Sequence, residues 1–259
     1  MAPILRDMRR SLVFWSLALA AVCAIYVGFW PAMGDGAEMQ ALVENMPEAL
    51  VQALGYDAIG TPEGYLESTV FALLAPALLL VFAIGLGGRL IAGEEEDRTL
   101  ELELAHPVPR WQVVAERLGA LAAAVVALVL VTTIVTMALA RAVGMEIATS
   151  NIAAASTGLL LLVLGLGAAA FGIGAATGRR ATAVGTAAAL AVLAYVANAV
   201  APLVNWGGWL KAISPFAWYL GPDPLVTGWH LGSVLSLALI SLVFALVALI
   251  AFDRRDLGV

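Results

Sequence analysis

Residues 152–177 read IAAASTGLLLLVLGLGAAAFGIGAAT, a run without a single charged side chain. It is longer than the roughly 18 apolar residues that mark a helix able to span a bilayer. The rest of the chain has the same character, because 62% of its 259 residues are hydrophobic and only 12% are charged. One large soluble core would need amphipathic helices rather than uninterrupted apolar runs. The sequence therefore predicts an integral membrane protein.

Five further apolar runs accompany this one, and together they predict an all-α polytopic membrane protein with six transmembrane helices. We expect a single transmembrane domain, residues 1–259, with an external loop at 31–68 and a cytoplasmic segment at 92–117. The predicted spans are residues 11–30, 69–91, 118–140, 152–177, 181–204 and 231–252.

The arginines predict which side of the membrane each loop faces. With the N-terminus inside, 11 of the 13 basic residues fall on one side, and only Arg141 and Lys211 fall on the other. Since cytoplasmic loops carry the excess of Lys and Arg, both termini and residues 92–117 are expected in the cytoplasm.

The external loop, residues 31–68, carries seven acidic residues and no Lys or Arg. Within it, residues 38–54 place their apolar side chains on one helical stripe. We expect an amphipathic helix that lies on the membrane surface or caps the bundle, with a solvated acidic face.

Several function classes find no support in these residues. Each charged residue lies in a loop or at the boundary of a predicted span, so the buried ionisable group that is typical of an ion-coupled carrier is missing. No P-loop or hydrolase motif occurs, and His106 and His230 fall on opposite sides of the predicted membrane. The net charge of −6 speaks against a nucleic-acid partner. We therefore expect no enzymatic activity, metal or cofactor in this chain.

Residues 93–112, GEEEDRTLELELAHPVPRWQ, form the most charged segment of the chain. Pro109 is suited to the first position of a short helix, and Arg110 to Arg117 can continue that helix into the third span. Alternation of leucine and glutamate over residues 100–104 favours a strand by periodicity, but five residues do not decide the matter.

The same segment resembles permease subunits of ABC transporters of the type-2, mostly exporting, branch. Members typically carry an acidic pair, a Gly-Thr-Leu-Glu element and a Pro-Val-Ser-Arg sequence between their second and third spans. Arg98 and Pro109 depart from that pattern, standing where the family usually has a glycine and a small hydroxyl residue. The residues that the resemblance assigns to docking and coupling are Glu94, Glu95, Glu96, Arg98, Thr99, Leu100, Glu101, Pro107, Val108, Pro109 and Arg110.

The resemblance implies a six-span half-transporter in the plasma membrane of a prokaryote. Its coupling helix would seat in a separate ATP-binding subunit, present in two copies, which would bind the ATP and magnesium. A second permease, identical or different, would complete the pore within the membrane lipid. Two alternatives remain open: a membrane scaffold or sensor subunit that transports nothing, and an ion-coupled secondary carrier.

Four polar residues within the predicted spans are candidates for lining a translocation path. Hydrogen bonding between helices would explain them equally well. They are Thr132, Thr133, Thr136 and Asn198.

Overall fold

The computed structural model describes residues 6, 8–33, 37–97 and 109–253. Six of the helices in this part of the chain are long and apolar enough to cross a membrane, which confirms the predicted all-α polytopic fold. They are α1 (Arg9–Phe29), α4 (Pro62–Glu96), α5 (Arg110–Ala142), α6 (Thr149–Thr177), α7 (Arg180–Val200) and α11 (Leu231–Asp253).

The amphipathic segment of the external loop is two helices, α2 (Ala37–Glu44) and α3 (Glu48–Leu54), and not the single helix that its apolar stripe predicts. Pro47 is the N-cap of α3 and separates the two. It has no N–H to donate and its ring clashes with the carbonyl four residues earlier, so a helix cannot run through it without a kink.

Three further short helices lie between α7 and α11, in the region where the sequence shows clustered aromatic residues. They are α8 (Gly208–Ile213), α9 (Pro215–Leu220) and α10 (Pro224–Thr227). Ser214 caps the first turn of α9, since its hydroxyl accepts a hydrogen bond from the N–H of Ala217, and the same hydroxyl donates to the carbonyl of Ala194 in α7 at 2.8 Å. The start of α9 is therefore hydrogen-bonded to α7.

The centre of the bundle is α6, which packs against α4, α5, α7 and α11, while α1 packs mainly against α5. Small residues let the neighbours of α6 approach closely. A Cβ built on Gly87 of α4 would lie 2.5 Å from the carbonyl oxygen of Gly167 in α6, so a side chain has no room at this crossing. Gly174 likewise faces Ala92 and Ala183. The apolar run at residues 152–177 thus forms the helix that organises the core.

Helix α4 is continuous but contains two π-helical stretches, Glu67–Leu74 and Arg89–Gly93. In the first, the N–H of Ala75 donates to the carbonyl of Val70, five residues earlier. The carbonyl of Phe71 would then need an N–H from residue 76, which is a proline. The buried hydroxyl of Tyr219 in α9 donates to that carbonyl at 3.0 Å. A side chain of the outer helices thereby satisfies a backbone group that Pro76 leaves without its usual partner.

Candidate functional site

The acidic residues at the end of α4 are anchored to other helices. One carboxylate oxygen of Glu94 accepts hydrogen bonds from the Nε of Arg117, at 3.0 Å, and from its Nη2. Arg117 lies in the third turn of α5 and is only 2% exposed. A buried guanidinium needs a carboxylate partner because removing its charge from water is costly. The pair therefore ties the end of α4 to the beginning of α5.

Glu96 makes a second connection at the same end of the bundle. Its Oε1 accepts a hydrogen bond of 2.9 Å from the backbone N–H of Arg180, the first residue of α7. The N–H groups of a first helical turn have no partner within the helix, and a negative charge is favourable beside them. Through Glu94 and Glu96, the start of the charged segment is bonded to two other spanning helices.

The C-terminal end of the charged segment joins the helix bundle at Pro109. Pro109 has extended backbone angles and is the N-cap of α5, and Arg110 is the first residue of that helix. The helix runs without a break to Ala142, so Arg110 to Arg117 continue directly into the third spanning helix. Pro109 is the N-cap of this long helix, one residue before the first helical position that the sequence predicted for it.

The remaining docking candidates fall outside the part of the chain that the structure describes. These residues are Arg98, Thr99, Leu100, Glu101, Pro107 and Val108, and the strand considered for residues 100–104 falls there too. The structure thus brings Glu94, Glu95 and Glu96 to the same end of the bundle as Pro109 and Arg110.

Three of the four candidate path residues have hydroxyls that form hydrogen bonds within the bundle. The hydroxyls of Thr132 and Thr133 donate to the carbonyls of Leu128 and Val129, four residues earlier in α5, at 3.0 and 2.8 Å. The hydroxyl of Thr136, which is fully buried, lies 3.5 Å from the Sγ of Cys23 in α1. None of these threonines lines a cavity described below.

Asn198 lines a cavity of about 600 Å³ at the opposite end of the bundle. The cavity opens between α3, the start of α4, the end of α7 and the short outer helices. Other polar side chains in its wall are Gln52, Asp57, Glu67, Ser68, Tyr195, Lys211 and Asp223. Partial desolvation, and then the charge of Asp57, raise the pKa of the Asp223 carboxyl above its usual value. We call this cavity the polar chamber.

The sequence reasoning missed the role of Arg117, which it counted only among the cytoplasmic basic residues. A signal was present, because consecutive spans are antiparallel. Glu94, just past the end of the second predicted span, and Arg117, just before the third, must lie at a similar depth. A charge so close to hydrocarbon needs a partner at that depth.

A family model described as ABC-2 family transporter protein matches residues 5–257. No individually curated protein matches the chain. Within the described residues, no group of three or more His, Cys, Asp or Glu side chains is placed to hold a metal ion.

Proposed function

We propose that this chain, which belongs to the ABC-2 family of transporter permeases, forms half of an ATP-driven exporter. The chain is a multi-pass membrane protein and the transmembrane permease subunit of an ABC transporter. The energy comes from a separate ATP-binding subunit, which docks on residues 92–117. Two such subunits and a second permease, identical or different, complete the assembly in the plasma membrane of a prokaryote.

The observation that carries this proposal is the pair of connections made by Glu94 and Glu96. A segment that receives mechanical work must be coupled to the helices that move. Glu94 bonds to Arg117 of α5 and Glu96 bonds to the N-terminus of α7, so displacing the end of α4 pulls on two further spans. A solvated acidic loop would not need either bond.

The charge distribution supports docking of the ATP-binding subunit at the end of the bundle that holds residues 92–117. The end of the bundle that holds Glu94, Arg110 and Arg180 is also the end with most of the arginines, and the positive-inside rule places such an end in the cytoplasm. ATP is available there, so an ATP-binding subunit would meet the segment directly.

The polar chamber suits the exit side of an exporter. It lies at the end remote from the docking segment and offers side chains of both charges together with an amide, that of Asn198. Asn198 lines this chamber and the three threonines do not, so we place the substrate contacts of the path at Asn198 and its neighbours.

The experiment is purification of the tagged chain from its native host in mild detergent, with Arg110→Glu as the variant. The wild type is expected to retain a protein with a P-loop, and Arg110→Glu to lose it. Arg141→Glu, at the other end of the bundle, is the control and should retain it. A scaffold would retain no P-loop ATPase, and an ion-coupled carrier would show gradient-driven flux in vesicles that hold this chain alone. Either result overturns the proposal.

A further inference from the structure

Three cavities follow one another along the face that α4 and α7 form. The inner cavity, about 250 Å³, lies at the arginine-rich end and is also lined by α1. An apolar groove of about 360 Å³ comes next and shares Val81 and Gly85 with the inner cavity. The groove in turn shares Ala72 and Tyr195 with the polar chamber. The cavities thus connect the arginine-rich end of the bundle with the opposite end.

The chain alone leaves this face uncovered. Leu73, Val81 and Val192 line the groove, and all three are exposed at the outside of the bundle. In the proposed function a second permease completes the pore, and a second permease on this face would close the three cavities into one path. The chemistry of that path then selects the substrate.

The inner cavity offers cationic groups. Arg89 and Arg180 come from different helices, yet both stems approach one point: a Cβ built on Gly93 would lie 2.9 Å from the Cγ of Arg89 and 3.7 Å from the Cδ of Arg180. In the described part of the chain, neither side chain forms an ion pair with a carboxylate, and no Asp or Glu lines the cavity. The nearby Glu96 bonds to the backbone of Arg180 and leaves its guanidinium available. Guanidinium groups placed side by side in this way favour a carboxylate, sulfate or phosphate between them.

The groove and the polar chamber differ from the inner cavity in chemistry. In the described part of the chain, Tyr195 has the only polar side-chain group that lines the groove. The groove therefore accepts an apolar body, because a polar group buried there would lack a hydrogen-bond partner.

The polar chamber is acidic where the inner cavity is basic. Its wall includes part of the external loop, residues 31–68, whose seven charged residues are all acidic. Among the described residues of the wall, Lys211 is the only basic one, and Asp57 and Asp223 lie in the same wall. An anion is thus attracted at the inner end of the path and repelled at the outer end, which favours its release. For a cation the two ends would act in the opposite sense.

From this arrangement, and on the basis of the proposed function, we infer that the transported substrate is an amphipathic anion. Its negatively charged group binds between Arg89 and Arg180, and its apolar body lies in the groove beyond Gly85. A small inorganic anion would leave the groove empty, and an apolar cation would be repelled at the inner end. The inner cavity and the groove together have the volume that is typical of a ligand site.

The test is binding of a bromonaphthyl sulfate, an apolar bicycle with one anionic group, to the full-length chain in phosphatidylcholine nanodiscs. Bromine quenches tryptophan fluorescence at short range, and Trp15 lines the inner cavity. The part of the quenching that disappears in Trp15→Phe therefore reports on this site. We expect half-saturation at a concentration about fivefold lower than for the trimethylammonium analogue with the same bromonaphthyl body. Binding of that cation as tight as the binding of the sulfate would overturn the inference.

The arginines are tested by single substitutions. Arg89→Gln and Arg180→Gln should each raise the half-saturating concentration of the sulfate about fivefold. Arg179→Gln is the matched control and should leave it unchanged, because Arg179 is an adjacent exposed arginine that does not line the cavity. Equal losses in Arg179→Gln and Arg180→Gln would refute the assignment, since they would indicate only general surface charge.

The apolar body is tested by Gly85→Leu, which fills the junction of the inner cavity and the groove. A Cβ at Gly85 meets nothing within 4 Å, so the fold should tolerate the new side chain. Gly28→Leu is the control, because Gly28 in α1 has the same open surroundings and lines none of the three cavities. We expect Gly85→Leu to weaken binding of the bromonaphthyl sulfate about tenfold and Gly28→Leu to leave it unchanged, with equal thermal stability. Unchanged binding in Gly85→Leu, or displacement of the probe by an equal concentration of inorganic sulfate, would contradict the need for an apolar body.

Transport of the anion is tested on the assembly purified from the native host. The bromonaphthyl sulfate should stimulate ATP hydrolysis by that assembly more than the trimethylammonium analogue does, and it should stimulate less when the permease carries Arg89→Gln. Stimulation by the cation alone, or by neither probe, would overturn the inference. Probe binding is measured without an ATPase, and co-purification of a protein with a P-loop is measured without the probe. The inference and the proposed function can therefore fail independently.

Discussion

The pair formed by Glu94 and Arg117 should respond unequally to the loss of each partner. The side chain of Arg117 is 3% exposed and that of Glu94 is 31% exposed. Glu94→Gln removes the negative charge that compensates a fully buried guanidinium, at a cost of about 3 kcal/mol. Arg117→Gln removes the buried charge itself and leaves a carboxylate that water can reach, so we expect only about 1 to 2 kcal/mol.

The double variant, Glu94→Gln with Arg117→Gln, completes the cycle. It removes both charges, and its stability should return to within about 1 kcal/mol of the Arg117→Gln protein. The assay is reversible unfolding of the purified protein in mixed micelles of a mild and a denaturing detergent, with tryptophan fluorescence as the signal. Gln112→Ala, on the exposed side of the same helix, serves as the control and should be nearly neutral. Equal costs for the two single variants, or a cost below about 0.5 kcal/mol for Glu94→Gln, would refute the assignment of a buried compensating pair.

Three further predictions concern packing, a backbone carbonyl and pH. Gly87→Ala should destabilise the bundle by about 1 to 3 kcal/mol, because its Cβ would lie 2.5 Å from the Gly167 carbonyl oxygen; thermal unfolding measures this. Tyr219→Phe should cost about 1 to 3 kcal/mol by leaving the buried carbonyl of Phe71 unsatisfied, measured in the same way. Asp223→Asn should raise the melting temperature near pH 7.5, and the gain should vanish towards pH 4.

The sign of the pH effect follows from the raised pKa of Asp223. A carboxyl whose pKa is higher in the folded state than in the unfolded state stabilises the fold at low pH. That contribution is lost as the pH rises from the ordinary aspartate value, about 4, through the native one. In Asp223→Asn the side chain cannot ionise, so this loss of stability at higher pH does not occur. A gain that grows towards acid pH would contradict this account.

Controls distinguish the effects of Gly87→Ala and Tyr219→Phe from a general loss of stability. Gly85→Ala is the partner of Gly87→Ala on the same helix, and it should be nearly neutral because a Cβ there meets nothing within 4 Å. If both glycines respond alike, close helix approach at Gly87 is not the cause. A Tyr219→Phe protein as stable as the wild type would show that another donor reaches the Phe71 carbonyl.

Uninterrupted apolar runs and the placement of charge were sufficient to predict the fold class. The predicted spans are long enough to cross a bilayer, and helices suit them because every backbone polar group in hydrocarbon must be satisfied within the element. The ends of the helices were less predictable. Helix α4 begins at Pro62 and not near residue 69, because Thr61 caps it and the polar residues that follow remain helical at the membrane surface.

The connections at the candidate site could be anticipated only in part. The resemblance directed attention to Glu94 and Glu96, but periodicity does not reveal which helix a carboxylate contacts. Their bonds to Arg117 and Arg180 depend on how three helix ends meet in space. The role of Tyr219 was likewise hidden from the sequence. It depends on a π-helical stretch in which the carbonyl of Phe71 has no backbone N–H partner and accepts from Tyr219 instead.

Cross-linking from the charged segment tests the central claim most directly. The only native cysteine, Cys23, is buried, so a cysteine introduced at Asp97 can be labelled selectively with a photoactivatable thiol reagent in native-host membranes. The account predicts an adduct between position 97 and a protein with a P-loop, and none from a cysteine introduced at Asp57 in the external loop. No adduct at position 97, or the same adduct from position 57, would contradict the claim that an ATP-binding subunit docks on this segment.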